Sequence, residues 1–139
     1  MTPFYITTDK NRLDIDKIHH YISTESYWGN GRTKEEVQTT IAHSFCFGIF
    51  NLDNQQLGFA RLVTDYVLFA YVMDVLIFPE YQGKGYGKEL VTYIMSHELI
   101  HKVKTVALKT KDAHELYEKY GFKAIGDSSI WMSIDKIKL

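Results

Sequence analysis

The chain has 139 residues, 45% of them hydrophobic, which suits one globular domain spanning residues 1–139. Its 16 basic and 17 acidic residues leave a net charge of −1, with no basic footprint for nucleic acid. No apolar run reaches the roughly 18–20 residues of a membrane span, the N-terminus lacks a signal-peptide core, and one Cys excludes a disulfide framework; a cytoplasmic protein is expected.

The predicted elements alternate along the chain. Phe4–Thr7 reads as a short strand. Asp14 begins a helix with Ile15, Ile18 and Ile22 on one face. Residues Thr24–Arg32 form a loop, and Thr33 with Glu36 makes a capping-box pattern for a second helix. Phe45–Leu52 and Leu57–Val63 flank an Asp53-Asn54 turn and read as a hairpin. Phe69–Phe78 follows as a long strand, then a helix over Lys88–Leu99 and a buried strand over Thr105–Thr110. Asp112, with Glu115 in capping-box position, is expected to cap a short helix, and the tail Lys123–Leu139 contains strand-like Ile130–Ile134. The order implies a mixed α/β layer fold.

The densest chemical signal is YVMDVLIFPEYQGKGYG, Tyr71–Gly87. Gly83, Gly85 and Gly87 sit between a strand and a helix start, where backbone N–H groups and the helix dipole converge on a phosphate. The spacing fits neither G-x-G-x-x-G nor the P-loop. Instead, Gln82, Gly85 and Gly87 in Q-x-x-G-x-G resemble the acyl-CoA loop of the GCN5-related N-acetyltransferase (GNAT) family. A second match follows in A-x-x-L-Y-E-x-x-G-F, at Ala113, Leu116, Tyr117, Glu118, Gly121 and Phe122. The resemblance covers about residues 45–125; residues 1–44 agree only in their helical character.

This resemblance implies a mostly antiparallel, twisted sheet with helices on both faces. Its two central strands, Tyr71–Phe78 and Thr105–Thr110, would run parallel and splay apart. Acetyl-CoA would lie in the opening as acyl-donor cosubstrate, with no metal. Val75, Leu76 and Ile77 would meet the pantetheine, and Gln82, Gly83, Lys84, Gly85, Tyr86, Gly87 and Lys88 the pyrophosphate. Ala113 and His114 are further cofactor candidates, as is Thr110, which stands where many relatives carry Asn. The implied activity is an N-acetyltransferase acting on a primary amine of a small molecule, by direct attack in a ternary complex. A protein or peptide acceptor is the rival, and a non-catalytic acyl-CoA sensor the alternative from another class. Pairing of two copies through sheet edges and the Trp131 tail is a family-level option.

Catalytic roles follow from the chemistry. The leaving thiol, comparable to Cys with pKa ~8.5, can take its proton from a phenol of pKa ~10. Tyr117 occupies the position resembling the family's general acid; Tyr120 reads as packing. Some relatives carry a Glu base where this chain has Thr105. Asp74, a carboxylate inside an apolar strand, is the candidate base or amine anchor, with pairing to Arg61 as the alternative. Tyr27, Trp28, Arg32, Arg61 and Tyr66 are the candidate substrate-binding residues. Arg61 would bind a substrate carboxylate or pair with Asp65 or Asp74, and the internal pair is favoured. His19, His20, His43, His97 and His101 lack metal-ligand spacing, and Cys46 reads as a core residue rather than a nucleophile.

Overall fold

Apolar strand sequences with turn residues between them build one five-stranded sheet in the computed structural model, which describes residues 1–126 and 128–137. The chain forms two compact units, Met1–Lys109 and Thr110–Leu139. The first holds β1 (Phe4–Thr7), β2 (Phe45–Asn51), β3 (Gln56–Thr64), β4 (Phe69–Ile77) and β5 (Thr105–Leu108), in that spatial order. Strands β1 to β4 pair antiparallel, and β5 joins β4 in parallel. The crossover between β4 and β5 contains α3 (Tyr86–Ser96) and α4 (Glu98–Lys102), as a parallel pair requires. The predicted single helix over Lys88–Leu99 is thus two helices. Its break is at His97, whose Nδ1 accepts a hydrogen bond from Leu99 N at 3.1 Å and caps α4.

The other two helices of this unit start where their caps predict. Asp14 accepts from Lys17 N at the start of α1 (Ile15–His20), which continues as a π-helical turn over Tyr21–Glu25. Thr33 and Glu36 form a complete capping box before α2 (Lys34–Ala42). One sheet face is buried under α3 and α4, through Phe47, Ala60, Leu62, Ala70, Val72, Leu90 and Ile94. The other is buried under α1 and α2, through Ile18, Ile22, Val37, Ile41, Cys46, Phe59 and Leu76. Helices on both faces are therefore observed.

Residue parity along β4 changes once. Ala70 and Val72 face α3, whereas Leu76 faces α1 and α2. The register explains it: Phe59 pairs with Leu76 but Arg61 with Met73, so β4 carries one extra residue. This β-bulge contains Asp74, held in the left-handed region at φ 51°. A single extra residue moves all following side chains to the opposite face.

Two expectations are corrected. The β4–β5 pair is parallel as expected, with β5 the last strand of the sheet among the described residues, but Ile130–Ile134 form no strand. Ile130, Met132 and Ile134 are exposed, so this stretch lacks the burial that turns an apolar run into a strand. Of the tail, Asp127, Lys138 and Leu139 lie outside the described residues. In the second unit, α5 (His114–Glu118) is capped neither by Asp112 nor by a capping box. Its N-cap is Ala113, whose N–H donates to Thr110 Oγ1 at 3.0 Å.

Cys46, 2% exposed, lies in the layer under α1 and α2. Burial pushes its thiol up to about 11, overriding the lowering by Lys10 and Arg61. Above pH ~8.5 an unfolded chain sheds this proton while the folded chain retains it, so stability falls as pH rises toward the folded value. The stability of the native protein relative to Cys46→Ala should therefore decline by about 2–3 kcal/mol across that window, at 1.36 kcal/mol per pKa unit. Parallel urea-denaturation profiles for the two proteins against pH would contradict this placement.

Candidate functional site

The glycine loop adopts the conformation its sequence demands. Gly83 and Gly85 have φ of 76° and 91°, in the left-handed region that side chains rarely enter. Gly85 is the N-cap of α3 and supplies no side-chain cap. The N–H groups of Tyr86, Gly87 and Lys88 thus retain the outward donors that every helix start leaves. The helix begins two residues earlier than predicted. Tyr86 is 4% exposed and packs edge-on to Phe4, so only its backbone is available to a ligand, while Lys84 and Lys88 are exposed. Gln82 braces the loop by donating its side-chain amide to Ile77 O at 2.8 Å. A Cβ on Gly83 would meet nothing within 4 Å, and one on Gly85 only the Met1 side-chain terminus, at 2.8 Å. Open space above uncapped N–H groups and two exposed lysines is a donor set suited to a pyrophosphate.

Beside this loop, the ladder between β4 and β5 stops at Val72–Leu108. Met73–Ile77 continues without a strand partner on that side among the described residues. The stretch includes Val75, Leu76 and Ile77, expected along the pantetheine. Leu76 is buried by its side chain, and the Ile77 carbonyl already accepts from Gln82.

The bulge places Asp74 on the α1/α2 face, where it organises a polar cluster. Its Oδ2 accepts from Arg61 Nε and Arg32 Nη1, each at 2.7 Å, and its Oδ1 accepts from Trp28 Nε1 at 2.8 Å. The side chain of Asp74 is 1% exposed, against 6% for Arg61 and 16% for Arg32. Arg61 Nη1 also donates to Ser44 Oγ at 3.1 Å. The expected internal pair of Arg61 is therefore observed, and with Asp74 rather than Asp65. Asp65 instead accepts from the N–H groups of Val67, Leu68 and Phe69, which hold its carboxyl below the usual range.

The loop before α2 is shaped to deliver Trp28 and Arg32. Ser26 Oγ donates to Ile22 O and accepts from Gly29 N. A Cβ on Gly29 would lie 2.3 Å from Ile22 Cγ2 and 3.3 Å from Arg32 Cζ, so this close approach requires glycine. Trp28 meets Tyr27 edge-on and tilts against Tyr21, which packs on Phe78. Four of the seven candidates outside the cofactor set thus share one cluster: Trp28, Arg32, Arg61 and Asp74, with Tyr27 at its rim. Tyr66 does not join them. It lies in the β3–β4 turn and packs on Phe45, on the α3 face. Ser26, Ser44 and Tyr21 are contributors that sequence reasoning missed. Only the Ser26-x-x-Gly29 spacing carried a turn signal.

In the second unit, Tyr117 is buried and meets Phe122 edge-on at 5.7 Å between ring centroids. Ala113 and His114 start its helix, and Thr110 braces that start. Among the described residues no group of three or more His, Cys, Asp or Glu side chains is placed to hold a metal ion.

The comparisons with known proteins agree with this geometry. The family model described as an acetyltransferase (GNAT) domain matches residues 43–124. A crystal structure from Xanthomonas campestris pv. campestris, assigned to the GNAT family, is 38% identical with a TM-score of 0.86; the alignment covers 96% of this chain and 95% of that one. A Gibberella zeae protein assigned as an acetyltransferase is 26% identical over 137 residues, covering 84% of this chain and 76% of the relative. The fold is shared with the spermidine N-acetyltransferase of Vibrio cholerae, solved with CoA and spermine. That match has a TM-score of 0.68 at 20% identity and covers 85% of this chain and 79% of the other.

The Asp74 cluster makes a quantitative demand. Removing one partner from a buried, paired charge set costs roughly 3–5 kcal/mol, because uncompensated charge remains. Asp74→Asn should therefore lower unfolding stability by an amount on that order, read from urea denaturation. A loss below about 1 kcal/mol would place the carboxylate in water instead.

Proposed function

This chain belongs to the GNAT acetyltransferase family, and from that premise we propose that it transfers an acetyl group from acetyl-CoA to a primary amine of a small molecule. The observation that carries the reading is the Gln82–Lys88 loop at the start of α3, joined to a β4 segment that has lost its β5 partner. Acetyl-CoA supplies the acyl group already activated as a thioester. Gly83, Gly85 and the first N–H groups of α3 hold its pyrophosphate, with Lys84 and Lys88 adding charge. Val75 presents backbone to the pantetheine arm and Ile77 adds its N–H, while Leu76 between them is paired with Phe59 of β3. Thr110, Ala113 and His114 complete the proposed cofactor contacts.

The amine attacks the thioester carbonyl directly. Cys46 is no rival nucleophile, since burial holds its thiol protonated up to about pH 11. Proton delivery to the departing thiolate is assigned to Tyr117, because a phenol, ordinarily of pKa ~10, suits a thiol acceptor of ~8.5. Asp74 is assigned a positioning role in place of proton removal. Both of its oxygens accept hydrogen bonds from cationic or indole donors, and protonation would disrupt the pairing. It fixes Arg32 and Trp28 beside the bulge. The amine then enters in its neutral form without a dedicated carboxylate base.

A thiol-release assay against an amine panel tests the activity. Amine-dependent CoA release is expected, and CoA binding without amine stimulation would leave only a sensor. In the same assay Tyr117→Phe should lower kcat by about 10²-fold or more, the usual worth of a general acid, with CoA affinity near normal. An unchanged rate would remove its acid role. Gly85→Val should abolish CoA binding in calorimetry while leaving the circular-dichroism spectrum intact. Retained affinity would refute the loop assignment.

A further inference from the structure

The cluster at the β4 bulge carries more positive charge than it uses. Asp74 contributes one negative charge, whereas Arg32 and Arg61 contribute two guanidinium groups that stay protonated. Arg61 is committed inward, to Asp74 and to Ser44. Among the described residues Arg32 spends only Nη1, on Asp74 Oδ2. No buried side-chain nitrogen among the described residues lacks a partner, so the remaining donors of Arg32 reach solvent. The other carboxylate within its electrostatic reach, Glu36, is exposed and accepts from Thr33 N in the capping box. Its carboxyl is held low by Thr33 first, with Arg32 the smallest contribution. The surplus charge therefore has no inward counter-ion. Arg32 is held by Asp74, whose other oxygen takes the Trp28 indole N–H, and its guanidinium lies against Gly29.

We propose that the acceptor amine carries an anionic group, a carboxylate or a phosphate, and that Arg32 binds it; the proposal rests on the acetyltransferase reading of the same site. A guanidinium with a fixed plane and outward donors suits two-point recognition of either anion. Trp28 and Tyr27 supply apolar walls for the rest of a small molecule. A polycationic acceptor would instead bring a second positive charge against an uncompensated one, which disfavours binding. Asp74 immediately precedes the Val75–Ile77 segment, so an anion on Arg32 would tether the acceptor beside the thioester.

The test compares matched pairs by kcat/KM in the thiol-release assay. An amino acid is set against its carboxamide and an amino-sugar phosphate against the unphosphorylated sugar, with spermine as a polycation. The anionic member of at least one pair should be preferred by about tenfold or more, as one charge-assisted contact implies. Which pair responds identifies carboxylate or phosphate. Arg32→Gln should collapse that ratio toward one, and Arg32→Lys should restore part of it, with melting temperature confirming that both variants fold. A structural role alone would lower both members of a pair together. Equal rates for neutral and anionic members of both pairs, or a preference that survives Arg32→Gln, would overturn the proposal while acetyl transfer itself stands. CoA binding without thiol release for any amine would overturn both.

Discussion

One buried carboxylate holds the α1/α2 side of the sheet together. Asp74 gathers Arg61 from the neighbouring strand and Arg32 and Trp28 from a loop more than forty residues earlier. Each partner would be costly to bury alone. Two guanidinium groups in a low-dielectric layer repel, and a lone carboxylate there would lose its hydration. Together they tie β3, β4 and the loop before α2 into one unit. The cluster also limits what Asp74 can do chemically. A carboxylate already shared between two arginines and an indole positions its neighbours, and has no oxygen left idle for a substrate proton.

The cluster exists because β4 is irregular. With an unbroken period of two, Asp74 would share the face of Ala70 and Val72, among Leu90 and Ile94, where nothing could solvate it. The extra residue at the bulge turns Asp74 toward α1 and α2 instead. It also re-aims Val75 and Ile77, the residues whose outward backbone is assigned to the pantetheine. A single backbone insertion thus orients both halves of the proposed site, at the cost of one non-glycine residue in the left-handed region.

Much of this was legible in the sequence. The strands, the two caps at Asp14 and Thr33, and the glycine loop all have local causes, and local causes leave local signals. The Asp74–Arg61 pair was legible too, because a carboxylate and a guanidinium on adjacent apolar strands have few other partners. The bulge was not legible: Met73-Asp74-Val75 carries no glycine or proline to announce it, and its register depends on pairing with β3. Tyr66 was misplaced for a related reason. Its distance from Arg61 along the chain says nothing about the face on which a turn residue will pack. The break at His97 escaped because the apolar pattern continues across it into Leu99 and Ile100, while the interruption is made by one imidazole nitrogen. Asp112 does not cap the short helix: α5 has no side-chain cap, and Thr110 takes the N–H of the N-cap residue Ala113.

The distribution of the two tryptophans has an optical consequence. Trp28 belongs to the first unit, with its indole N–H donated to a carboxylate among aromatic rings; Trp131 belongs to the second and is 43% exposed. Their surroundings differ in polarity, in local field and in access to a dissolved quencher. Intrinsic fluorescence therefore carries two separable reporters. An acrylamide-accessible component follows the C-terminal unit. A less accessible component, from the half-buried Trp28, follows the ionic cluster that anchors the loop before α2.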